Sequence, residues 1–213
     1  MINMRKGTVL SLKSCNKILD FLIKNHILII LTICFVSGLI AGIFTLHKYD
    51  TIENWNISFL ESFITSRSEK SFLNIAVNSF FGSMLFIMLC FVCGSSVLGA
   101  ILVPLNVIMR GFLYGGTAAL LYSEYLLKGI AFHTVLILPS AIVFLFGFLF
   151  AAREAFNFSL MLTQLTFPQS MPMNISFQFR SYCIKFLLIS VIIVFSAVVD
   201  AVLCGNFITV FSL

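Results

Sequence analysis

Charge is scarce in this sequence: only 10% of its 213 residues are Asp, Glu, Lys or Arg, where soluble domains carry about a quarter. Histidine occurs three times, proline four times and tryptophan once. So little charge excludes a disordered chain, which needs charge and polarity to stay solvated. It also excludes an ordinary cytosolic enzyme. Catalytic patterns are missing as well. There is no His-Glu-x-x-His, no Gly-x-Ser-x-Gly and no Walker loop, and His26, His47 and His133 are scattered along the chain. We therefore expect no enzymatic activity and no cofactor. The six cysteines lie mostly inside apolar runs, where Cys acts as a small hydrophobe. Cys90-Phe-Val-Cys93 has redox-motif spacing, but no second pair or zinc-spaced histidine accompanies it, so it reads as packing.

What is abundant is oil. Hydrophobic residues make up 60% of the chain, Phe alone occurs 25 times, and the mean hydropathy is +1.09. A soluble domain of this size leaves roughly a third of its chain's surface in water and cannot hide so much apolar area. The fold class implied is all-α: a polytopic membrane helix bundle, with lipid as the solvent. Five apolar runs mark the spans, at 27–46, 73–93, 97–121, 130–152 and 182–204. Each is long enough to cross about 30 Å of hydrocarbon. Residues 1–26 repeat Leu12, Cys15, Leu19 and Leu22 on one face and Lys13, Lys17 and Lys24 on another, which predicts an interfacial amphipathic helix.

The formal charge of +5 is mostly a topology signal. Arg5, Lys6, Lys13, Lys17 and Lys24 precede the first span, opposed only by Asp20. No basic stripe remains elsewhere to follow a phosphate backbone, so nucleic acid is not an expected partner. The positive-inside rule puts the N-terminus in the cytoplasm. Five spans then put the C-terminus outside. Residues 47–71 and the loop around Glu124 and Lys128 fall outside, whereas Gly94-Ser95-Ser96 and Arg153–Ser181 fall inside. A short surface helix is expected around Ile57 to Ile64.

Polar residues inside spans carry the most information. Asn106 and Arg110 interrupt span three. A charge at mid-bilayer costs at least about 2.5–3.5 kcal/mol, so Arg110 should face the bundle and find a partner. Asp200 in span five is the best-placed carboxylate, with a depth offset of about 7 Å at 1.5 Å per residue. Glu124 and Glu154 lie too near the span ends to fit as well. Arg110 and Asp200 are thus the expected intramembrane pair. Gly38 and Gly42 in span one, and Gly111 and Gly115 in span three, both match G-x-x-x-G and predict close helix packing, within one chain or between copies in a homo-oligomer. Pro104 and Pro139 should kink spans three and four. His133 reads as an interfacial packing residue.

Gly94-Ser-Ser-Val-Leu-Gly, then Met109-Arg-Gly-Phe, Leu138-Pro-Ser, Arg180-Ser-Tyr and Val199-Asp-Ala follow one another in the order and spacing of a known family. From about Phe59 to Leu203 the chain resembles the stage II sporulation protein M family. The resemblance matches that family's intramembrane base to Arg110 and its late acid to Asp200. It matches the arginine before the last span to Arg180 and an early span-two asparagine to Asn78. Many relatives follow the Leu-Pro of span four with His-Gly and then Glu. Here Ser140 and Ala141 follow Pro139, and Phe144 or Leu145 stands where that acid would be. The resemblance implies a membrane component without catalysis of its own. The namesake anchors peptidoglycan hydrolases during engulfment in spore formers. Other relatives act with ATP-binding-cassette ATPases in circular-bacteriocin maturation, export or immunity. Partners implied are membrane lipid, other membrane proteins, wall hydrolases or a cytosolic ATPase, the last reached through the apolar loop that Arg153 and Glu154 open.

Overall fold

The computed structural model describes residues 25–46, 72–165 and 175–207. Every regular element among them is helical. The predicted amphipathic segment, the loop with Ile57 to Ile64 and the extreme C-terminus lie outside the described residues. In chain order the elements are α1 (His26–Leu46), α2 (Phe72–Gly94), α3 (Gly99–Phe132), a π turn (His133–Ile137), α4 (Leu138–Leu165) and α5 (Ile175–Phe207). Five stretches are long and apolar enough to cross a bilayer: His26–Thr45, Phe72–Gly94, Gly99–Ser123, Tyr125–Leu165 and Ile175–Asn206.

These helices are apolar over most of their circumference, as a lipid surrounding requires. Large hydrophobic side chains stay uncovered: Phe44 is 70% exposed, Ile101 72% and Phe81 67%. In water such a belt would aggregate; in hydrocarbon it is solvated.

Three features differ from the sequence reading. Arg153 to Leu165 is not loop but a continuation of α4, and Ile175 to Ser181 already belongs to α5. A helix does not stop where the hydrocarbon stops, because its backbone bonds are satisfied internally on either side. The expected loop near Glu124 shrinks to a break at Leu126, whose φ of 48° and ψ of −125° interrupt an otherwise helical run. That is the one non-glycine positive φ among the described residues. The third difference concerns proline. The backbone keeps helical angles through Pro104, and the departure in α3 falls at Leu126 instead. Pro139 lies two residues past the end of the π turn, in the first turn of α4, where a proline costs the helix little.

The helices are held by two different interfaces. α1 packs chiefly on α3. A Cβ on Gly111 would strike the Phe35 carbonyl oxygen, and one on Gly115 that of Leu39. Reciprocally, Cβ atoms on Gly38 and Gly42 would strike the carbonyls of Ile108 and Phe112. Residue numbers rise together along both helices, so α1 and α3 run parallel with their backbones in contact. Glycine is required at all four points because any side chain would occupy the partner's peptide.

α2, α4 and α5 form the second interface through aromatic rings. Tyr182 of α5 lies between Phe91 of α2 and Phe158 of α4, stacked on both with centroids 5.1 and 4.5 Å away. Phe186 meets Phe91 edge-on at 5.2 Å. Further along, Phe144 stacks on Phe148 at 5.5 Å, and Phe86 meets Phe148 edge-on at 6.5 Å. The Tyr182 hydroxyl donates to the Phe91 carbonyl at 2.9 Å, so this ring stack has no orphaned polar atom at its centre. Nearby, Ser159 of α4 donates to the Ser96 carbonyl at 2.9 Å and fixes the turn joining α2 to α3.

Candidate functional site

Polar side chains from α3, the π turn, α4 and α5 gather where the two interfaces meet. α3 places Asn106, Arg110 and Tyr114 on one face by four-residue steps. The Asn106 amide donates to the Phe86 carbonyl and to Cys90 Sγ, both at 3.2 Å, and ties α3 to α2. Cys90 is therefore a buried acceptor. Cys90 and Cys93 are free thiols, and no cluster of three metal-ligating side chains occurs among the described residues.

The Arg110 guanidinium lies between two ring faces, 4.5 Å from the centroid of Phe86 and 4.6 Å from that of Phe144. Each ring contact is worth about 0.5–2 kcal/mol, so the pair roughly offsets the cost of placing the charge in hydrocarbon. The rings supply no acceptor for the five guanidinium N–H groups.

Asp200 does not share that environment. It is 2% exposed on α5 and accepts from Ser140 Oγ at 3.3 Å. Ser196, one turn earlier on α5, donates to the Ser140 carbonyl at 2.8 Å. The expected Arg110–Asp200 contact is replaced by different partners: two aromatic faces for the base, an α4 serine for the acid. Tyr114 lies within electrostatic reach of both charges.

His133 is buried in the π turn. Its Nδ1 is 2.9 Å from the Tyr122 hydroxyl, and its ring centroid is 5.7 Å from that of Tyr114. Two buried polar atoms here have no hydrogen-bond partner among the described residues: the Tyr114 hydroxyl and His133 Nε2. Beside them a half-open cavity of about 220 Å³ separates α1, α3 and α4, with Arg110 and Tyr114 the polar residues among its described lining.

The remaining sequence candidates sit apart. Glu154 forms an ion pair with Lys185 at 2.6 Å near one end of α4 and α5. Arg153 is half-buried beside it, whereas Arg180 and Asn78 are exposed. Glu124 lies two residues before the break at Leu126. Tyr114, Tyr122, Ser196 and Tyr182 were missed as site residues. Helical spacing could have found two of them, since Tyr114 lies four residues after Arg110 and Ser196 four before Asp200.

Five apolar spans, a lipid-facing belt and a buried polar cluster define a multi-pass membrane protein. The family model for stage II sporulation protein M matches residues 31–205, and the chain belongs to that family. No curated protein and no solved structure matches it at a significant level.

Proposed function

We propose that the protein is a non-enzymatic membrane scaffold of a multiprotein complex, anchoring extracellular peptidoglycan hydrolases as the family resemblance implies. The observation that carries this reading is the ring-filled centre between α2, α4 and α5. Phe91, Tyr182 and Phe158 close it at one level, and Phe86, Phe144 and Phe148 at another. A bundle plugged by stacked rings suits an anchor better than a conduit. In this reading the N-terminus is cytoplasmic and the C-terminus outside, following the basic first 26 residues.

The test is purification in mild detergent from the native, sporulating cell. Wall hydrolases should stay bound in amounts comparable to the protein itself. Recovery of an ATP-binding-cassette ATPase with no wall enzyme overturns the reading. Orientation is checked with single cysteines at Ser95 and Glu124 in a cysteine-free background, labelled in intact cells. Only the second should react with an impermeant reagent.

A further inference from the structure

The cavity between α1, α3 and α4 has features that the described residues do not complete. Its walls are almost wholly apolar: Phe35 and Leu39 from α1, and Ala141, Ile142, Phe144 and Leu145 from α4. Arg110, whose guanidinium no acceptor among the described residues serves, and Tyr114 line it on the α3 side, and the Tyr114 hydroxyl is buried there with no partner among the described residues. Membrane proteins rarely leave an intramembrane charge unneutralised, and a buried orphan hydroxyl calls for a partner. The cavity also opens to the lipid side, where Ile142 is 58% exposed.

We propose that this cavity is the docking site for a transmembrane helix of another protein, which inserts a side-chain carboxylate between Arg110 and Tyr114. The depth of the site selects that occupant. Arg110 lies eleven residues past Gly99, so at 1.5 Å per residue it is about 16 Å along the span and close to the middle of a hydrocarbon layer about 30 Å thick. An anionic lipid keeps its headgroup at the layer's edge, about 15 Å away. A helix can carry an acid at mid-depth, and Arg110 can meet it with paired N–H donors. A second copy of this chain offers no such group among the described residues. Glu154 is paired with Lys185 near the end of α4, Asp200 is 2% exposed, and Glu124 sits at the α3 break. The apolar walls bury the helix's neighbouring side chains, and the carboxylate completes the polar contacts. The proposal rests on the scaffold reading and specifies how one partner is held.

The test uses the full chain in phosphatidylcholine vesicles with a synthetic Leu/Ala transmembrane peptide bearing Glu or Gln at its centre. Association is read by energy transfer between labelled protein and labelled peptide. The Glu peptide should bind about tenfold more tightly than the Gln peptide. Arg110→Gln should abolish the preference and Tyr114→Phe should reduce it. Ile142→Trp, which obstructs the mouth, should weaken binding of both peptides. Size-exclusion profiles verify that each variant is folded. Equal binding of the two peptides by wild type overturns the proposal, as does a preference that survives Arg110→Gln. Arg110-dependent retention of phosphatidylglycerol, with no Glu preference, overturns it in favour of lipid. If native hydrolases co-purify equally with wild type and Arg110→Gln, anchoring stands and this site is wrong. If they bind neither while the Glu preference persists, the scaffold reading fails and the docking site stands.

Discussion

The seam between α1 and α3 and the core of α2, α4 and α5 solve one problem in opposite ways. Lipid gives no hydrophobic reward for bringing helices together, so contact must come from packing and hydrogen bonds. At the seam, Gly38, Gly42, Gly111 and Gly115 strip away side chains until peptide meets peptide. In the core, Tyr182, Phe91 and Phe158 add large rings until their faces meet. Backbone contact fixes register and tolerates no added atom. Ring contact tolerates small shifts but needs its volume filled. Where the two regimes meet, neither closes, and the Arg110 cavity is what remains.

Four substitutions sharpen that contrast. Gly111→Leu should have the largest effect, because its side chain lands on the Phe35 carbonyl. We expect loss of the monodisperse size-exclusion peak, with Gly82→Leu as a harmless control, since nothing lies within 4 Å of a Cβ there. Tyr182→Ala empties the ring stack and should destabilise by about 3–5 kcal/mol, read from unfolding in mixed micelles. Tyr182→Phe keeps the rings and loses only the bond to Phe91, so the same titration should show about 1 kcal/mol. Tyr114→Phe removes a hydroxyl that has no partner among the described residues. It should shift the midpoint by less than about 0.5 kcal/mol. A loss equal to that of Tyr182→Phe would mean that the junction is as well satisfied as the core.

Much of the architecture was legible in the sequence because lipid imposes a simple rule: an apolar run of sufficient length becomes a helix. The five spans followed from that rule. The glycines on α1 and α3 were legible for a similar reason, since four-residue spacing defines one helix face whatever the partner. Interhelix partners were harder. The depth argument placed Arg110 and Asp200 within reach vertically but said nothing of rotation about the helix axes. Rotation assigns Arg110 to Phe86 and Phe144, and Asp200 to Ser140. The polar stretch after Ala152 looked like loop because composition marks the edge of the hydrocarbon, whereas hydrogen bonding marks the end of a helix. The π turn before Pro139 had no compositional signal, since the neighbours of a proline settle how its ring is accommodated.

The parallel contact between α1 and α3 joins helices that are not neighbours in sequence, with all of α2 made between them. During synthesis α1 therefore enters the bilayer before its mate exists. It can wait there because it has no polar face to conceal, and its glycines bind nothing until a matching backbone arrives. Completion of α3 is thus the event that recruits the first helix, and the order of translation becomes an order of assembly.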